Sequence, residues 1–173
     1  MTPALTVREV LVLLHTACTA HMGTMEMRVA HTSAPRLQVA HVGFRRLADV
    51  GIGKPEQTAT TVRQARQLSV ELRALGEDAE QVLTDLAALL WTQTPAMVAL
   101  SDAGVAVQGV GTVTDVTGLT GPGFELRSVC AVQLGYIREI TATGPGDADA
   151  VRLLAKSADV GMTTFIQVYP AAA

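Results

Sequence analysis

Nucleophiles and metal ligands are the residues that could do chemistry, and this sequence places few of them at working spacings. The two cysteines, Cys18 and Cys130, lie far apart in the chain, which reads as two buried thiols kept in a reducing compartment. Cys18 and His21 have half the spacing of a zinc site. No second Cys or His pair completes the four ligands that such a site takes. His31 and His41 fall singly in strand-like stretches. Asp147 and Asp149 could meet a hard cation, but one short acidic turn cannot supply six oxygens. Two acids at a helix start serve its dipole instead. Gly109-Val110-Gly111 lacks the third glycine and the following helix of a dinucleotide site. No phosphate-binding loop occurs, and no Ser sits in a nucleophile elbow. The sequence therefore predicts no catalytic residue, no cofactor and no metal.

The elements that would position any site follow from periodicity. Thr6 and Glu9 form a capping box, and Val7, Val10, Leu11, Leu14 and Cys18 repeat at helical spacing, so residues 3–22 read as an amphipathic helix. The apolar run Val10-Leu11-Val12-Leu13-Leu14 is cut by His15 and flanked by Glu9. It fits neither a secretory leader nor a span of about twenty apolar residues, so no membrane is expected. Residues 25–31 and 37–50 read as strands, and residues 51–60, with Gly53 and Pro55, as a loop. From Val62 the alternation is clean: Leu68, Val70 and Leu72 face one side, and Gln67, Ser69, Glu71 and Arg73 the other.

The period then switches. Ala79, Val82, Leu83, Leu86 and Leu90 share one face of a helix over residues 77–91, with acids at its start. Thr94-Pro95 opens a second helical turn ending near Gly104. Residues 105–113 read as a strand and 117–123 as a glycine-rich loop. Residues 124–141 read as a long strand, with Phe124, Leu126, Cys130, Val132, Leu134, Tyr136 and Ile140 on one face and Glu125, Arg127, Gln133 and Glu139 on the other. A turn at Gly144-Pro145-Gly146, a helix over 147–157 and a strand over 162–169 close the chain. Because strands come in runs, the expected class is α+β, a mostly antiparallel sheet with helices packed on one face.

Composition bounds the rest. A chain of 173 residues is expected to form a single domain, and at this size it buries roughly 70% of its unfolded surface without disulfides or metal. Hydrophobic residues are 49% and charged residues 17%, which excludes a disordered chain. Aromatics are 3%, too few for stacking platforms on single-stranded nucleic acid. The net charge of -3 is unevenly spread. Residues 25–75 hold eight basic residues against four acids, a local +4 that leaves the remainder at -7. Such bipolar charge suits subunits that meet basic patch to acidic patch; the simpler alternative is solvated strand faces.

Two segments carry a resemblance. The first holds Ser33-Ala34-Pro35-Arg36, Gln38-Val39-Ala40-His41-Val42, Gly51-Ile52-Gly53-Lys54-Pro55, Gln67-Leu68-Ser69-Val70-Glu71-Leu72 and Leu75-Gly76-Glu77-Asp78-Ala79. The second runs from Leu100 through Gly104-Val105-Ala106-Val107 and Val113-Thr114-Asp115-Val116-Thr117 to Phe124-Glu125-Leu126-Arg127-Ser128 and the long strand. This order resembles the neck or tail terminator proteins of tailed bacteriophages over residues 35–141. Leu75 stands where an aromatic is expected, and the stretch from Gly144 onward matches no part of the pattern.

The resemblance implies a structural virion protein at the tail–neck junction, made in the host cytoplasm. It implies a homo-oligomer, a hexameric ring, that caps the tail tube and joins it to the neck or connector protein, with DNA passing through the lumen without specific binding. The polar residues expected to make contacts are Arg45, Arg46, Lys54, Glu125 and Arg127. Two other readings stand beside it: a head-side connector or tail-completion protein of similar fold, and a small cytosolic enzyme or ligand-binding domain with an apolar pocket between helix and sheet.

Overall fold

A computed structural model describes residues 3–22, 26–29, 40–58, 60–120 and 123–141. Helix α1 (Val7–Met22) starts as its capping box dictates. The Thr6 amide and hydroxyl donate to Glu9 Oε2 at 2.7 Å, and the Glu9 amide returns a bond of 3.3 Å to Thr6 Oγ1. These bonds favour the ionised carboxylate and hold the Glu9 pKa below its usual range.

Strands β1 (Glu26–Val29), β2 (His41–Gln57) and β3 (Thr61–Leu75) follow, then helices α2 (Ala79–Leu90) and α3 (Pro95–Asp102). Strands β4 (Ala106–Val110), β5 (Thr114–Asp115), β6 (Gly118–Thr120), β7 (Gly123–Glu125) and β8 (Arg127–Thr141) complete the described chain. The main sheet has the order β1-β2-β3-β8-β4, with β5 also on β8. Only β1 and β2 pair in parallel; every other pair is antiparallel. The α+β class with a mostly antiparallel sheet is thus what the sequence predicts.

Helix α2 buries the five residues its periodicity selects, Ala79, Val82, Leu83, Leu86 and Leu90. On β3 the buried residues are the even-numbered Val62, Gln64, Leu68, Val70, Leu72 and Ala74, and on β8 they include Ser128, Cys130, Val132, Leu134 and Tyr136. All three helices join one core cluster with this single sheet face. Thr94 caps α3, its hydroxyl accepting from the Met97 amide at 3.3 Å, with Pro95 in the first turn.

Three expectations are corrected. Residues 51–57 are strand, not loop: β2 runs on to Gln57 and turns back at Thr58, whose hydroxyl lies 2.7 Å from that of Thr61. Gly53 and Pro55 are tolerated because β1 pairs only with His41–Phe44, so among the described residues the rest of β2 is an edge strand, where a missing amide donor costs little. The register there is irregular between Ile52 and Glu56, and Gly53 takes φ +67°. The stretch expected as a glycine-rich loop forms the β6–β7 hairpin. The long strand begins at Arg127, so Phe124 and Glu125 belong to β7, and Leu126 is 43% exposed rather than buried. The helix over 147–157 and the strand over 162–169 lie outside the described residues.

Candidate assembly interface

A bulge in β2 decides which side chains its edge presents. Up to Arg46 the even residues point to the core face, and Val42 and Phe44 are fully buried there. The register shifts between Arg46 and Ala48, and one extra residue inverts the alternation. Beyond it Asp49, opposite Leu68, takes the core side, while Val50 and Ile52 turn outward with 57% and 43% exposure. Leu47, in the bulge itself, is also exposed.

Asp49 closes a polar cluster under this extension of the sheet. Arg66 Nε donates to its Oδ1 at 2.8 Å, and Arg66 also donates to the Asp49 carbonyl at 3.1 Å and to Gln64 Oε1 at 3.2 Å. The Tyr136 hydroxyl donates to the same Oδ1 at 3.0 Å, and Arg138 stands 3.9 Å from Oδ2. Burial, with the Asp49 charge alongside, pushes the Tyr136 phenol up to about 12. The cluster ties the bulged edge strand to β3 and β8.

The expected contact residues divide into two groups. Arg45, Arg46 and Lys54 are exposed on β2. Arg45 meets Glu71 at 3.4 Å, and Glu71 also receives Arg73 at 2.9 Å. Arg46 and Lys54 have no carboxylate partner among the described residues. Glu125 and Arg127 pair with each other where β7 passes into β8. Arg127 shares a paired row with Leu75 at the far end of the sheet from Lys54, so the five do not form one patch.

The opposite side of the molecule has the opposite sign. From Ala74 to Leu126 there are seven carboxylates and no Lys, Arg or His. Among them Glu77, Asp78, Glu80, Asp85, Asp102 and Asp115 are exposed on α2, α3, β5 and the turn before α2. Hydrogen bonds from the Thr117 hydroxyl and amide hold the Asp115 pKa low, so it stays ionised. Trp91, the only tryptophan, is 61% exposed at the end of α2 near Val98, which is 44% exposed. Both line a groove of about 350 Å³ with Asp102, Ala106 and Val107. Sequence reasoning missed Trp91 and Asp49. Trp91 lies one residue past a clean apolar helix face, and Asp49 changes faces only through the bulge.

Little in this arrangement supports covalent chemistry. Cys18 is fully buried and its thiol is pushed up to about 12 by burial. Cys130 is raised by burial too, and donates to the Gly111 carbonyl at 3.2 Å. His21, exposed, lies 3.2 Å from Thr94 Oγ1 rather than beside another ligand. Among the described residues no three His, Cys, Asp or Glu side chains gather where they could hold a metal ion, and no helix is long and apolar enough to cross a membrane.

No protein of curated function matches the chain. A family model does, and its span takes in most of α1, the whole main sheet, both helices α2 and α3 and the two charged sides just described. That model, described as the phage neck terminator protein, matches residues 13–160, and the chain belongs to this family of structural virion proteins, which contact other head and tail proteins of the phage.

Proposed function

We propose that this protein is a tail terminator subunit that closes with its copies into a ring, capping the last tail-tube ring and presenting the surface that the neck or connector protein meets. The observation that carries the reading is the exposed β2 edge. Val50 and Ile52 share the open face of the sheet with Arg45, and Leu47, Arg46, Lys54 and Glu56 are exposed along the same strand, an apolar strip with charged neighbours of the kind that docks a protein surface rather than a small substrate. Glu125 and Arg127 serve at one remove, fixing the β7–β8 corner through their own ion pair.

The ring works by contact alone, with no catalytic step. The ring holds six copies. Assembly takes place in the host cytoplasm before the subunit enters the virion. Encapsidated DNA passes through the lumen without specific binding, in keeping with a chain whose net charge is -3, because phosphate binding is driven by basic residues. The test is the tail-length distribution, by electron microscopy, of particles lacking this protein. Overlong tubes support termination. Tails of normal length that never join heads make the protein a connector, and normal infectious particles refute both.

A further inference from the structure

Strands β2 and β4 lie towards opposite edges of the described sheet, β2 carrying the exposed cations and β4 running beside the groove under the acidic helices α2 and α3, and this decides which surfaces meet between copies. We infer that the β2 edge of one subunit seats on the α2–α3–β4 side of the next, a head-to-tail contact; the inference rests on the ring reading above. Three observations support it.

Charge is complementary. The β2 edge bears Arg45, Arg46 and Lys54 against one exposed acid, Glu56, and helices α2 and α3 bear carboxylates and no Lys or Arg, Asp102 beside the groove and Glu80 and Asp85 on α2. Apolar exposure is paired in the same way. Of the eight large hydrophobic residues exposed among the described ones, three (Leu47, Val50, Ile52) lie on the β2 strand, and two (Trp91, Val98) line the groove on the other side. An exposed tryptophan beside a groove is the kind of anchor that concentrates interface energy.

The third observation is geometric. A row of paired residues crosses the sheet from Val50 to Gln67, Gly135 and Ala106. Val50 is at the centre of the basic edge, and Ala106 lines the Trp91 groove. The two surfaces are thus at one level of the sheet, as a closed ring without axial rise requires. Because β2, β3, β8 and β4 alternate in direction, β4 of a copy placed alongside in the same orientation runs antiparallel to β2. A self-complementary two-fold contact would pair two copies without closing a ring.

The experiment uses the full chain and reads assembly by analytical ultracentrifugation alongside Trp91 fluorescence. On ring formation the Trp91 emission should shift to shorter wavelength and its quenching by acrylamide should fall. R46E/K54E and D85K/D102K, each folded by circular dichroism, should each assemble roughly 100-fold more weakly. Mixed in equal amounts they should form rings again, because the reversed edge of one fits the reversed face of the other. If the unaltered chain stays monomeric at every concentration, the ring reading fails and the contact with it. If rings form while Trp91 stays open to quencher, or if the two variants assemble alone or fail to rescue each other, the assignment of the β2 edge to the Trp91 groove is wrong and the ring stands.

Discussion

Replacing Asp49 by Ala tests whether the bulged half of β2 is anchored as described. The Asp49 side chain is 10% exposed and that of Arg66 19%, so the pair is largely out of water. Removing the carboxylate takes the 2.8 Å acceptor from Arg66 and the 3.0 Å acceptor from the Tyr136 hydroxyl. A hydrogen bond to a charged group contributes about 1.5–3 kcal/mol, and a buried donor left without an acceptor costs about 1–3 kcal/mol. Arg66 keeps Gln64 and the Asp49 carbonyl, and water reaches a fifth of it, so the expected loss is about 3 kcal/mol rather than the full sum. For a chain of this size that lowers Tm by about 6–12 °C. Urea unfolding followed by circular dichroism measures it, with Thr112→Ala as an exposed control expected to change by less than about 0.5 kcal/mol. A cycle with Tyr136→Phe should give a coupling of about 1–2 kcal/mol. A loss below about 1 kcal/mol for Asp49→Ala would refute the reasoning, because the cluster would then be solvated and the edge held by backbone pairing alone.

Tyr136 gives a pH signature. Its folded pKa of about 12 exceeds the ordinary phenol value, so the folded state holds the proton more tightly. That stability is present below about pH 10 and is lost as pH rises through about 12. Tyr136→Phe should flatten this alkaline limb in pH-dependent denaturation, and an unchanged limb would assign the loss to other groups. Thr94→Ala removes the acceptor for the Met97 amide and should cost about 1 kcal/mol, a fall of about 2–4 °C in a thermal scan. Both cysteines are free and buried. A thiol reagent at pH 8 should leave the folded chain unlabelled and react with two thiols in denaturant, whereas fast labelling of the native chain would place a thiol at the surface.

Legibility from sequence followed how local the determining physics was. The faces of α1 and α2 could be read directly, because a helix buries whatever recurs at its own period, and the five residues chosen on α2 are the five it buries. The alternation of β3 was equally clear, since β2 and β8 pair along its length and one face is packed. What escaped depends on partners distant in sequence. Gly53 and Pro55 have loop chemistry, yet they lie in strand because the β2 edge needs no further partner. The bulge near Leu47 leaves no compositional mark, and with it went the inversion that buries Asp49 and exposes Val50 and Ile52. Alternation along a strand over residues 124–141 puts Leu126 on the apolar face, but the chain leaves the ladder at Arg127. Of the expected contact residues, Arg45, Arg46 and Lys54 are exposed on one strand, whereas Glu125 and Arg127 pair with each other.

The same cations that fit an acidic neighbour also restrain this edge from pairing with itself. An exposed strand of Leu47, Val50 and Ile52 is a template for edge-to-edge association, and charged residues, bulges and Pro are the usual means of blunting it. Here all three occur within residues 45–57. Two β2 edges brought together would meet with more cations than acids, Arg45, Arg46 and Lys54 against Glu56 on each, while the acidic side of another copy relieves them. Replacing Arg46 and Lys54 by Ala separates the two effects. The apolar strip keeps its 43–57% exposure but loses the charge that selects its partner, so ordered assembly should fall while light scattering at high concentration rises. A neutralised chain that stays monodisperse would show that the bulge and Pro55 alone protect the edge, and that Arg46 and Lys54 act only in choosing the neighbour.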